Sequence, residues 1–427
     1  MEAPNNTAAH VPEEIGTKIL VKLPLRSISR FKSVCKTWKS ATESVYFRCL
    51  FVSLHQNTFS CWSLLFQRRE LIDFHGCKTW GLPKSLGSYI QNMKINGKYK
   101  FEYIASSNGL VLMHRFFGTS TTYVGNPVLQ QWVEIPTPPN LFTVLCGLVT
   151  LVDEDSVVLS FKVVRTASMK RSQNGYVLSY FVYLSETGIW IYKQLYCPVY
   201  SPKLARPMSM NGTFYFYLVH SNISGQRKLM AHDFYGESNK CQFIPLPDQD
   251  NNHRRWHFKT ALTTSSGFVM YVKTFSQRGD NLLKVWRLIN DDSAWQLMWE
   301  ITLPFIQFDK CYYAQVAMHP FDSNIVYFWS QEHRYLISCN LQTQNYKIFG
   351  DDESQHQDCF INQSACEKHM DQIYEPISGV IDPVILYQFV LPRWMESVPR
   401  PPQVEIINTT SLLSHVPSRD LVTYINA

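Results

Sequence analysis

The chain has 427 residues, 45% of them hydrophobic and only 17% charged, a balance that excludes disorder over most of its length. Aromatic residues make up 14%, with 11 Trp, 23 Tyr and 26 Phe, which favours an all-β bulk. The net charge is +6, but residues 11–50 carry eight Lys or Arg against three Glu, leaving about +1 for everything else; a nucleic-acid-binding surface over the whole body is excluded, and the excess charge suits one small module that meets an acidic partner.

Residues 1–10 are polar and are expected to be disordered. They offer neither the basic flank nor the apolar core of a signal peptide. No run of 18 apolar residues occurs, so no membrane span is expected. The 11 Cys are odd in number and irregularly spaced, which fits a reducing compartment, the cytoplasm and/or nucleus.

From Val11 the apolar period is helical. Ile15, Ile19, Leu20 and Leu23 fall on one face, Pro12 suits a first helical position, and Glu13 and Glu14 favour the positive end of the helix dipole. Pro24 stops this helix. Ser27 can cap a second, in which Ile28, Phe31, Val34, Cys35 and Trp38 recur at spacings of three or four. A third helical stretch runs to about Phe47. Forty residues in short helices bury little alone, so this module is either a cap on the following domain or a docking element for a partner.

The stretch from Val11 to Ser40 resembles the F-box of large plant families. Its marks are Val11-Pro12 (where Leu-Pro is usual), Ile15, Ile19-Leu20, Leu23-Pro24-Leu25, Ile28, Phe31, Val34-Cys35-Lys36 and Trp38. The resemblance implies docking on the Skp-type adaptor of a cullin–RING ubiquitin ligase. Val11, Pro12, Ile15, Ile19, Leu23, Pro24, Leu25, Ile28, Phe31, Val34, Cys35 and Trp38 are then the expected partner-binding residues.

Beyond residue 58 the pattern changes to short apolar runs between turns. Ser107-Asn108-Gly109, Met210-Asn211-Gly212, Ser265-Ser266-Gly267 and Asp322-Ser323-Asn324 each precede an apolar strand. After each comes another strand, a polar turn and a strand headed by a ring. The markers are Trp132, Trp190, Cys241 (in place of a ring), Trp295 and Tyr346, spaced 51 to 58 residues apart. A period near 50 with several strands per unit indicates propeller blades. Residues 60–392 divide into six units of about 55, so six blades are expected. Pairing the strand at Val384–Leu391 with Trp62–Phe74 would close the ring. A pair of β-sandwiches is the alternative architecture.

The layout also resembles the kelch-like F-box-associated domain, through Ser107–Met113, Asn126–Pro136, Phe243–Asp248, Val285–Asn290 and Ala317–Ser330. The expected fold class is therefore mainly β, a three-helix F-box at 11–50 followed by a β-propeller at 60–392 and a C-terminal tail at 393–427.

No phosphate-binding, dinucleotide, serine-elbow or zincin motif occurs. His356, Cys359, Cys366 and His369 have the residue types of a tetrahedral zinc site, but the segment is acidic and its knuckle short, so no metal or other cofactor is expected. Asp291-Asp292 and Asp351-Asp352-Glu353 sit in turn contexts and read as solvated carboxylates. Among the longest polar segments, at 166–175, 248–257 and 276–281, the second holds Arg254, Arg255 and Trp256, candidate target-binding residues of the types that dominate interface energetics. The expected function is a non-catalytic substrate receptor of an SCF-type ligase, with an adaptor, a cullin and a target protein as partners. A propeller enzyme with a helical leader, or a scaffold without a degradation target, are the other readings.

Overall fold

A computed structural model describes residues 12–32, 34–55, 62–65, 71–72, 102–115, 121–140, 143–173, 175–197, 203–204, 207–219, 228–247, 258–277, 280–289, 294–303, 313–330, 335–349, 387–392, 394 and 396–408. Four helices come first: α1 (Glu13–Leu20), α2 (Leu25–Phe31), α3 (Lys36–Glu43) and α4 (Val45–His55). Pro24 separates α1 from α2 as expected. The second expected helix is broken between Phe31 and Lys36: Ser27 lies inside α2 rather than capping it, and the Cys35 sulfur accepts from the Trp38 N–H at 3.4 Å to open α3. The third stretch is split at Ser44, whose backbone is extended and whose hydroxyl accepts from the Phe47 N–H at 3.1 Å, a cap that starts α4.

The rest of the described chain is mainly β, in antiparallel sheets arranged as a propeller. Blade 1 holds β3 (Glu102–Ser107), β4 (Leu110–Arg115), β5 (Thr121–Asn126) and β6 (Gln131–Ile135). Blade 2 holds β7 (Val144–Val152), β8 (Val158–Ser172), β9 (Gly175–Leu184) and β10 (Ile189–Cys197). Blade 3 holds β11 (Lys203–Leu204), β12 (Met208–Met210), β13 (Thr213–Val219), β14 (Lys228–Asp233) and β15 (Gln242–Pro245). Blade 4 holds β16 (Phe258–Ser265), β17 (Phe268–Gln277), β18 (Asp280–Ile289) and β19 (Ala294–Thr302). Blade 5 holds β20 (Tyr313–Met318), β21 (Ile325–Ser330), β22 (Tyr335–Asn340) and β23 (Tyr346–Phe349).

The first hairpin of blades 1, 3 and 4 turns through Asn108-Gly109, Asn211-Gly212 and Ser266-Gly267, all with positive φ. Both central residues are left-handed, as a tight turn matched to strand twist requires. At Gly109 a side chain would also collide with the Pro392 ring, at 2.2 Å from its Cδ.

The five markers at 132, 190, 241, 295 and 346 lie within a residue or two of the start of the outer strand in their blades. Trp190 and Trp295 do the same work: each indole donates at 2.9 Å to a proline carbonyl of the preceding blade, Pro136 and Pro245. The expectation of six blades is corrected, because the structure has five full ones. The sixth sheet, among the described residues, has three strands: β1 (Trp62–Leu65), β2 (Leu71–Ile72) and β24 (Tyr387–Val390). Dividing length by spacing assumed equal units, whereas the described strands of this sheet come from the two ends of the 60–392 region.

The expected pairing of the two ends is present: Trp62 faces Val390 and Leu65 faces Tyr387. Trp62 stacks edge-on against His319 of blade 5, with centroids 5.0 Å apart. On the other side, the Ser106 hydroxyl of blade 1 donates to the Gln388 carbonyl at 3.2 Å. The Gln388 amide donates to the Thr264 carbonyl at 3.0 Å and to the Met318 carbonyl, and accepts from the Thr264 hydroxyl. One side chain of β24 thus ties the inner strands of blades 4 and 5, while its backbone ties blade 1.

The described residues after 392, namely 394 and 396–408, are not a free tail. Trp394 is buried, and β25 (Ile406–Asn408) adds to the outer edge of blade 1 by pairing with β6.

Ending the chain before Tyr387 removes β24, β25 and Trp394 together. Thermal unfolding followed by near-UV circular dichroism should show the melting temperature falling by more than about 10 °C, or loss of a cooperative transition. Replacing Gln388 by Ala should lower it by a few degrees only.

Candidate partner-binding site

The helical module is seated on one face of the propeller. Leu20, Val21, Leu25, Ile28, Phe47, Phe51 and Val52 share one buried cluster with Val111, Met113, Val128, Trp132, Phe389, Leu391 and Trp394. The Trp394 ring stands edge-on to Phe47 and Phe51, at 5.9 and 5.3 Å between centroids. Arg48 reaches the β7–β8 turn, 3.0 Å from Asp155 and 3.4 Å from Asp153. His55 Nε2 lies 3.0 Å from the Val21 carbonyl and ties the end of α4 to the end of α1.

This seating divides the expected partner-binding residues. Leu25 and Ile28 are 0% and 1% exposed and serve the seam with the propeller. Leu23, Pro24, Phe31 and Trp38 are half-buried, and the Phe31 and Trp38 rings meet at 5.0 Å. Pro12 and Cys35 are exposed, and so are Ile15 (50%), Ile19 (55%) and Val34 (63%). Val45 and Tyr46 at the start of α4 are exposed too. Val11 lies outside the described residues. Ile15 and Ile19 are one turn apart and form the outward stripe of α1, while Leu20 turns inward. Around them Lys18, Lys22, Lys36 and Lys39 are exposed. The sequence did not expose the roles of Phe47, Arg48, Phe51 and Trp394. The aromatic pair at i and i+4 in α4 was an available signal for the first and third; for Trp394 there was none.

The two faces of the propeller differ. The helices touch turns β5–β6 and β7–β8, which belong to the same face as the tight first hairpins. Antiparallel alternation sends the second-to-third-strand connections, and those between blades, to the opposite face. β15, β19 and β23 end on that face and β16, β20 and β24 begin on it, with residues 246–257, 303–312 and 350–386 between them in sequence. Arg254, Arg255 and Trp256 fall in the first and lie outside the described residues, as do His356, Cys359, Cys366 and His369. The other two segments expected to be loops are largely hairpin: Ser172 pairs with Gly175, and Gln277 with Asp280. No group of three or more His, Cys, Asp or Glu that could hold a metal occurs among the described residues.

Three histidines and a cysteine of the propeller are held uncharged. His114, His232 and His319 are each pushed down to about 4, chiefly by burial, with Arg165 adding to the effect at His114 and Lys193 at His232. The Cys241 thiol is pushed up to about 12 by burial. A buried neutral thiol of this kind is a poor nucleophile.

A helical module with an uncovered apolar stripe, fixed to the short-turn face of a β-propeller, defines a two-part architecture rather than a lone propeller. The model for the F-box domain matches residues 9–50, and that for the F-box protein At3g26010-like β-propeller matches residues 60–400. The chain is 61% identical over 418 residues to the putative F-box/kelch-repeat protein At4g22430 of Arabidopsis thaliana, covering 97% of this chain and 99% of that one. It is 49% identical over 427 residues to the F-box protein At3g26010 of the same plant, covering 98% and 97%. The chain belongs to the At3g26010-like family of F-box proteins with a C-terminal β-propeller. No helix among the described residues is long and apolar enough to cross a membrane.

Three propeller histidines, two buried and one partly buried, set an acid limit on the fold. The unfolded chain protonates them near 6.5 and the folded one only near 4. Between those values the unfolded state binds more protons, so stability is complete above about pH 6.5 and is lost as pH falls towards 4. Melting in buffers of equal ionic strength should show a drop of at least about 5 °C from pH 7 to pH 5.

Proposed function

We propose that this protein is the target-receptor subunit of an SCF-type ubiquitin ligase in the cytoplasm or nucleus, with no chemistry of its own. The observation that carries the reading is the division of the helical module into a buried seam and an exposed stripe. Ile15, Ile19 and Val34 stay uncovered in the free chain although they are large and apolar. Exposed apolar groups clustered on one small module mark a surface that a partner covers. The surrounding lysines suit an acidic adaptor, whose approach they would speed more than they would tighten binding. The ligase's conjugating enzyme then supplies the reaction, and this chain raises the effective concentration of target lysines near it. The face opposite the helices receives the target, and Arg254, Arg255 and Trp256 follow in sequence from β15, which ends on that face.

The Ile15→Glu, Ile19→Glu double variant should lose adaptor binding by at least about 100-fold in a pull-down or calorimetric titration, with an unchanged melting temperature. Leu25→Glu should instead destabilise the module, because it places a charge in the seam. Retained adaptor binding by the folded double variant refutes the docking surface. Replacing Arg254, Arg255 and Trp256 together by Ala should keep the adaptor and change the set of proteins recovered with the chain. An identical set moves the target site elsewhere.

A further inference from the structure

The seam between blades 1 and 2 is apolar for most of its depth. Leu110, Leu112, Val124, Phe161 and Val163 lie in one buried cluster there. Two residues further along each strand the chemistry changes. β4 brings His114, β5 brings Thr122 and β8 brings Arg165, all buried. His114 and Thr122 are cross-strand partners, as Leu112 and Val124 are, so the period of two keeps them on the same face. This end of the seam is the end nearer the face opposite the helices, because β4 and β8 run towards that face.

The four groups form a connected network. Arg165 Nε donates to the Thr143 hydroxyl at 2.7 Å, and its two terminal nitrogens donate to the Thr143 carbonyl at 3.1 Å and the Thr122 hydroxyl at 3.4 Å. The Thr122 hydroxyl lies 3.0 Å from His114 Nδ1. With its oxygen accepting from Arg165, that hydroxyl turns its hydrogen to the imidazole, which burial already holds neutral.

What the network lacks is a negative charge. Arg165 is 6% exposed, and every acceptor it meets is neutral. Among the described residues no carboxylate pairs with it. A guanidinium carries five N–H donors, and these contacts use three. Buried cations in folded proteins are normally paired, because desolvation without a counter-ion is costly. A planar fork with spare donors matches a carboxylate or phosphate oxygen pair.

We propose that Arg165, with Thr143, Thr122 and His114 around it, forms a binding site for an oxyanion at that end of the seam between blades 1 and 2. The anion is a carboxylate or a phosphate group, and Arg165 is its counter-charge. Only its source rests on the reading of that face as the target's: the oxyanion is either a free ion or an acidic group of a bound polypeptide.

The test is thermal melting of the full-length chain at constant ionic strength, with chloride replaced stepwise by inorganic phosphate, and in a second arm a glutamate-rich hexapeptide. The wild type should gain about 2–4 °C, saturably, in at least one arm. Arg165→Met should show no gain and should melt no lower than wild type in chloride, because it removes an unpaired buried charge. Arg165→Lys should respond more weakly, since it keeps the charge and loses the fork. Peptide stabilisation that phosphate competes away assigns the site to a target's acidic group; a response to phosphate alone assigns it to a free ion. No saturable response of the wild type in either arm overturns the proposal, as does a full response in Arg165→Met. Should Arg165→Met fail to fold, the wild-type and Arg165→Lys titrations decide the matter. Adaptor binding uses the opposite face and is expected to be the same in all these variants, so the outcome is separate from that of the docking test.

Discussion

Closure of the propeller by its own ends is the constraint from which the rest of the molecule follows. A ring of blades stays shut only if chain from its two ends meets in one sheet. Here β1 and β24 do so, and Gln388 binds the result to blades 1, 4 and 5. The pairing brings two distant parts of the chain to one place. The helical module immediately precedes β1, and Leu391 and Trp394 immediately follow β24. They therefore meet beside blade 1, and the meeting is apolar: Trp394 lies against Phe47 and Phe51. A module too small to build its own core borrows one from the ring closure.

The seating fixes more than stability. Arg48 spans to Asp153 and Asp155 on a turn of blade 2, so the helices are held at two separated points, the Trp394 pocket and this ion pair. Partly exposed ion pairs contribute little energy individually. Their value here is orientation, because a second contact away from the apolar pocket removes rotation about it. A receptor that positions a target for transfer benefits from such stiffness, since a loose joint would dilute the effective concentration that it supplies.

Much of this was legible in the sequence, and the failures have physical causes. The ring markers were readable because a Trp at the head of an outer strand fills one recurring place, donating to a proline carbonyl of the previous blade at 190 and 295. The Asn-Gly and Ser-Gly turns were readable because only such residues accept two successive positive φ values cheaply. Blade number was misread because the closing sheet draws its strands from both ends of the chain, and no local repeat records that. Trp394 was missed because its partners are some 340 residues away in sequence. Arg165 was missed because one Arg in a long alternating strand looks like a solvent-facing position, and its burial depends on packing between blades.

The helical motif carries a further lesson about what a sequence pattern encodes. Ile15, Ile19, Leu20, Leu25 and Ile28 all belong to one recognisable signature, yet they serve two different surfaces. Leu20, Leu25 and Ile28 are closed against the same chain, and Ile15 and Ile19 are open. α1 has eight residues, little more than two turns, so apolar residues at 15, 19 and 20 already point to two different sides of it. Periodicity alone cannot divide such a set, because both halves fit the same helical repeat. The division comes from the propeller, which offers an apolar surface on one side only. Charged substitutions on the open half should therefore affect association alone, and those on the closed half should affect folding first.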